Sequence, residues 1–139
     1  MTEPLPTIKV VGMSASGKST LVQSLRERGY DARPISQEHS SVSDLWRQFD
    51  VPVVLIYLDV SLECQRLRRP DVSWNRRYHG QEAARLRHAR DHADLRIDTS
   101  TMTPSEVLAV VLVLLEQDDR HHADRPLPPV TPTGSARRE

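Results

Sequence analysis

Short β-branched and apolar runs alternate along this chain with stretches whose apolar residues recur every three or four positions. Residues 7–11 (TIKVV) predict a strand, and Leu21, Val22 and Leu25 set among polar Gln23, Arg26, Glu27 and Arg28 predict a helix that Gly29 stops. Residues 30–36 read as a second, weaker strand, with Pro34 marking an edge or an end. A polar loop over 37–41 follows, and Ser43-Asp44 opens a short helix through Leu45, Trp46 and Phe49. Residues 52–60 (PVVLIYLDV) are nearly all apolar, as a central strand covered on both faces must be. Ser61 then caps a helix holding Leu62, Cys64 and Leu67, and residues 66–80 are polar, arginine-rich and broken by Pro70. Helix is expected again over 81–93 and strand over 95–99. Thr103-Pro104-Ser105-Glu106 is a capping box with proline at the first helical position, opening a helix through Leu115.

Strands alternating with helices predict an α/β protein: a three-layer α/β/α arrangement around a short parallel sheet of about four strands. Right-handed crossovers would then gather the functional loops at the carboxyl ends of the strands. The domain is expected to span 1–117, and the polar, proline-rich segment 118–139 reads as a disordered tail.

Composition narrows the function. A chain of 139 residues has room for one domain with a core. Lys+Arg and Asp+Glu both number 19, so no net basic field points to nucleic acid or to an anionic membrane. The single cysteine, Cys64, excludes an internal disulfide, fits a reducing compartment and reads as a small apolar filler. The first residues do not resemble a signal peptide, and no apolar run approaches the ~20 residues of a membrane span. A cytoplasmic protein is therefore expected.

The chemistry is concentrated between the first strand and the first helix. Residues 12–20 (GMSASGKST) match G-x-x-x-x-G-K-[ST], the phosphate-binding (Walker A) pattern, in strand–loop–helix context. Gly12 and Gly17 let the backbone curl without a Cβ in the way, so that the amides of Ser14, Ala15, Ser16, Gly17, Lys18 and Ser19 can face an anion. Lys18 is expected on the β- and γ-phosphates, the Ser19 hydroxyl on Mg²⁺, and Thr20 toward the α-phosphate. The ligand this implies is ATP or GTP with Mg²⁺.

The chain has no N-K-x-D guanine signature and no D-x-x-G after a second strand, against a signalling GTPase. Three blocks resemble the small-molecule kinases of the phosphate-loop superfamily, such as nucleoside, nucleoside monophosphate, adenylylsulfate and dephospho-coenzyme A kinases. They are GMSASGKST, VVLIYLDVSLECQRLRR and HADLRIDTSTMTPSEVL. The resemblance implies a P-loop NTPase fold, an arginine-rich lid after the second block, and an adenine base bordered by the loop after the last strand. Arginines at 66, 68, 69, 76, 77, 85, 87 and 90 supply that lid, and such cations on a mobile segment serve phosphoryl transfer. Arg69 is the preferred lid residue, with Arg66 and Arg76 beside it, whereas Arg87 and Arg90 read as a solvated face paired with Glu82 and Asp91.

Only about 25 residues separate the first helix from the strand at 52–60, so one βα unit of those kinases looks missing or shrunken. The acidic role then falls to Glu38, as base or Mg²⁺ orienter, ahead of Asp59, which reads as structural. His39 is a candidate substrate contact, though a loop histidine is more often simply exposed, and Trp74 reads equally as packing or as a stacking surface. His88 and His92, four apart, have the spacing of a metal pair but read as a surface pair for want of a third ligand. The expected activity is transfer of the ATP γ-phosphate to a small nucleoside- or nucleotide-like acceptor, with Lys18, Glu38 and Arg69 as catalytic groups. The alternative is a nucleotide sensor with little turnover. A nucleoside triphosphate and a small acceptor are the expected partners, nucleic acid and membrane are not, and the protein itself is expected as monomer or homodimer.

Overall fold

The computed structural model describes residues 5–52, 54–118 and 120–130. Its elements run β1 (Thr7–Gly12), α1 (Lys18–Glu27), β2 (Asp31–Pro34), β3 (Val54–Asp59), α2 (Leu62–Arg68), α3 (Arg76–His92), β4 (Leu95–Asp98) and α4 (Pro104–Gln117). Two single 3₁₀ turns, Gln37–His39 and Leu45–Arg47, lie between β2 and β3. The four strands form one parallel sheet in the order β2-β1-β3-β4.

The sheet order follows from burial demand. The apolar runs of β1 and β3 are buried almost throughout and take the two central places, while the shorter, more polar β2 and β4 take the edges. Each face carries its own apolar cluster. Ile8, Val10, Ile56 and Leu58 pack with Leu21, Val22 and Leu25 of α1 and Val107, Val111 and Leu115 of α4. Val11, Leu55 and Tyr57, one residue out of phase, pack with Leu86 and Ala89 of α3 and with Trp46. This is an α/β fold with helices over both faces, compatible with three layers. Register places Gly12 beside Leu58 and Asp59 beside Asp98, so the loops after β1, β3 and β4 emerge together.

Two expected elements change. The helix expected from Ser43 to Phe49 is one 3₁₀ turn, because side chains take the backbone groups a helix would use. The fully buried Gln37 accepts from Trp46 N–H at 3.0 Å and donates to the Val42 carbonyl at 2.6 Å. Buried Lys9, whose ammonium desolvation pushes its pKa down, donates to the carbonyls of Gln48, at 3.2 Å, and Asp50. The helix expected at 81–93 begins five residues earlier, at Arg76, because Asn75 caps it by accepting from Tyr78 N–H at 2.8 Å. The broken polar stretch thus shrinks to residues 69–75.

The segment expected as a disordered tail also differs within its described part. Ala123 N–H donates to the Gly29 carbonyl and Leu127 N–H to that of Arg26, both at 2.8 Å, and the His122 and Tyr30 rings lie 4.9 Å apart. Residues 120–130 therefore run as a strap over the end of α1; residues 131–139 lie outside the described residues. Gly29 permits this contact. Its φ is +89°, and a Cβ there would meet the Ala123 carbonyl oxygen at 2.2 Å. Gly29→Ala is expected to cost about 1–2 kcal/mol for the left-handed backbone alone and to loosen the strap. Urea unfolding would measure the first effect and proteolysis near residue 123 the second; unchanged values in both would refute the contact.

Candidate phosphate-binding site

The loop between β1 and α1 is shaped from outside by what its carbonyls accept. The Met13 carbonyl takes Ser16 N–H at 3.2 Å, and the Ser14 carbonyl takes the buried Gln65 amide at 2.9 Å. The Ala15 carbonyl takes the Arg68 guanidinium at 2.9 Å, and the Ser16 carbonyl takes the Thr99 hydroxyl at 2.8 Å. The Met13 carbonyl is thus bound within the loop, and the three that follow it are turned toward α2 and the end of β4. Among the described residues the amides of Ala15 and Gly17 have no hydrogen-bond partner.

Local conformation completes the turn. Ala15 and Gly17 have positive φ, 63° and 96°, the former a strained conformation for a residue with a side chain. Gly17 is the N-cap of α1 and provides no side-chain bond, and the first turn holds no acid. The amides opening α1 thus keep their capacity for an anion, which the helix dipole reinforces.

Two sequence-predicted groups come together here. Lys18 Nζ lies 2.5 Å from Glu38 Oε2 and 3.4 Å from the Ile35 carbonyl oxygen. Glu38 is not a loop acid in solvent: it is 5 % exposed, and its Oε1 is buried without a partner. His39 Nε2 is 3.7 Å from the same carboxylate, its own ring half exposed. Beside this pair lies a cavity of about 360 Å³, lined by Lys18, Ser19, Gln23, Glu38, His39 and, from the strap, Pro129. A second cavity of about 390 Å³ lies against Gly17, Thr20 and Leu21, walled by Arg68, Met102 and Val107.

Arg69, the arginine preferred from sequence, borders the larger cavity, but its exposed guanidinium pairs with Asp71 at 2.7 Å. Arg66 donates to the Trp74 carbonyl, and Trp74 is itself buried, donating its indole N–H to the Arg69 carbonyl at 2.8 Å. Arg68 is the arginine in contact with the 12–20 loop: besides Ala15 it binds Thr99 Oγ1 at 3.1 Å and the Thr99 carbonyl at 2.5 Å. Asp59 caps locally, accepting from Val60 N–H at 3.0 Å. His88 accepts the Trp46 indole N–H at 3.0 Å, and His92 stacks on His88. Cys64 is half-buried, its thiol 3.2 Å from the Ser100 carbonyl oxygen.

One residue that holds the 12–20 loop is placed on the wrong face by the sequence reading. Glu82, expected on a solvated face, is fully buried. Its Oε1 accepts Ser14 N–H at 3.1 Å and its Oε2 the Ser14 hydroxyl. Gln65 Nε2 reaches the same Oε1 at 3.5 Å, and His79 Nδ1 lies 2.8 Å from Gln65 Oε1. Burial, and then the Glu82 carboxylate, raise the neighbouring Tyr78 phenol above its usual range. The signal was periodicity: the buried positions of α3 are Glu82, Leu86 and Ala89, an acid on an apolar stripe.

Among the described residues no helix is long and apolar enough to cross a membrane. No known family model matches the chain, and no curated protein sequence matches it.

Proposed function

We propose that the chain is a P-loop nucleoside-triphosphate-binding domain of three-layer build that acts as a small-molecule kinase. The observation that carries this reading is the pairing of Lys18 with the buried Glu38 at the mouth of a cavity that also holds Ser19. The loop amides and the first turn of α1 take the phosphates, with Lys18 moving from Glu38 to the anion. The base lies in the larger cavity, where Leu21, Met102 and Val107 offer an apolar wall and Arg68 a planar cation. Adenine is the base preferred from the sequence, with guanine as the other candidate.

The donors suit Mg²⁺. Ser19 and Glu38 both line one cavity and bring hard oxygen donors, a hydroxyl and a carboxylate, and the ion would supply neutralisation of phosphate charge when bound. Glu38 takes the proton of an acceptor hydroxyl in the smaller cavity. That oxygen forms the new bond to the γ-phosphorus, the bond from phosphorus to the β-phosphate oxygen breaks, and nucleoside diphosphate leaves. A second concave site beside Lys18 favours this reading over a sensor without an acceptor.

The test is phosphoryl transfer from ATP and GTP, with Mg²⁺, to a panel of nucleosides, nucleotides and small alcohols. One acceptor should stimulate turnover, and Glu38→Gln should lower that turnover about 10²-fold while nucleotide affinity changes by only a few-fold. Tight nucleotide binding with no acceptor-stimulated turnover would instead establish the sensor.

A further inference from the structure

The Glu82 carboxylate has no role in the chemistry just described, yet it is the most enclosed charged group touching the 12–20 loop. It belongs to α3, 68 residues from Ser14 in sequence, and both of its oxygens are spent on that residue. No lysine, arginine or histidine among the described residues forms an ion pair with it. Its neighbours are the uncharged Gln65 amide and the Tyr78 phenol. A buried carboxylate held only by neutral donors is costly, and a fold retains the charge where the geometry uses it.

Its place suggests that use. Loop amides are donors for phosphate oxygens, and Glu82 presents an anion with two acceptor oxygens to one of them. Ser14 lies four residues before Lys18 opens α1, and it is the loop residue whose amide faces α3 rather than the α1 turn that receives the inner phosphates. It is therefore available to the outermost phosphate, and Glu82 already holds it. We propose that Glu82 sets the discrimination between nucleoside di- and triphosphates. A diphosphate fills the amides at the start of α1 and leaves the Glu82–Ser14 contact standing. A triphosphate brings its terminal phosphate against a buried like charge, so Ser14 must leave Glu82 and the first turns of α3 must shift. Binding of the third phosphate is thereby coupled to the arginine-bearing helix.

This inference rests on the reading of the 12–20 loop as a triphosphate site, and the experiment separates the two. Calorimetric titration with ADP and with the non-hydrolysable β,γ-imido analogue of ATP, each with Mg²⁺, would be run on wild type and Glu82→Gln. The variant keeps the size and an acceptor for Ser14 N–H but loses the charge. Its affinity for the triphosphate analogue should rise about tenfold or more, with ADP affinity changed by less than about twofold. Hydrogen exchange on the wild type needs no variant: amides over 76–82 should exchange faster with the triphosphate analogue than with ADP. Equal changes for both nucleotides, or no difference in exchange, would overturn the inference and leave the loop reading intact. Failure of both nucleotides to bind either protein would overturn both.

Discussion

Lys18→Met is expected to raise the dissociation constant for nucleoside triphosphate about 10³-fold, from losing charge-assisted bonds to two phosphates. The same substitution should destabilise the protein before any ligand is added. Lys18 and Glu38 are both largely enclosed, with side chains 13 % and 6 % exposed, and Glu38 Oε1 already has no partner. Removing the ammonium leaves a buried carboxylate whose one other close basic side chain, among the described ion pairs, is the His39 ring at 3.7 Å. Breaking a buried pair from one side costs roughly 3–5 kcal/mol. Adding Glu38→Gln to Lys18→Met removes the stranded charge, so most of that loss should return. Triphosphate affinity should not return with it, because the ligand's cation is still missing. Urea unfolding and calorimetric titration on the two single variants and the double variant would separate the two effects. Undiminished affinity in Lys18→Met would sink the assignment of the loop, and a double variant no more stable than Lys18→Met would sink the account of the pair.

How far this site could be read from sequence depends on how far apart its parts lie in the chain. The 12–20 loop was legible because its strand, glycines, lysine and helix are contiguous, and local rules act on contiguous residues. The parallel sheet was legible because strand and helix patterns alternate, and the capping box at Thr103 because cap and acid are three residues apart. Glu38 was picked out as the acid, but its burial was not: that depends on α3, whose Arg85 donates to the Glu38 carbonyl at 3.3 Å. The choice among eight arginines needed tertiary structure. Arg68 and Arg69 are adjacent, but Arg68 is the last residue of α2 and reaches the Ala15 carbonyl, whereas Arg69, at the non-helical C-cap, pairs with Asp71 in solvent. Glu82 was misplaced because an arginine-rich helix was read by its charges, when the spacing of 82, 86 and 89 already marked the inward face. The Asn75 cap, absent from the sequence expectation, and the tertiary hold of Gln37 and Lys9 on residues 42–50 account for the two altered elements.

Gly12→Ala should strike the fold and the site together. Gly12 ends β1 in register with Leu58, the point where the chain turns out of the sheet under the loop. A Cβ at this position would lie 2.6 Å from the Leu58 carbonyl oxygen, 2.8 Å from Ser16 Oγ and 3.0 Å from Leu58 Cβ. The Leu58 carbonyl cannot retreat easily: it belongs to a central strand and accepts Met13 N–H at 3.1 Å. Ser16 cannot retreat easily either, since it is 2 % exposed and its carbonyl is bound to Thr99. Relief must therefore come from the loop lifting away from β3, which breaks the Met13 bond and moves the outward-bound carbonyls that orient the amides. Overpacking of this kind costs about 3 kcal/mol or more, a large part of the total stability of a single domain. Thermal unfolding should fall by roughly 10 °C, and triphosphate binding should be lost even in the fraction that remains folded. Gly17→Ala supplies the contrast. No atom lies within 4 Å of a Cβ there, so only its left-handed backbone is penalised, by about 1–2 kcal/mol. Equal thermal shifts for the two variants would show that the close approach to Leu58 is not what requires glycine at position 12.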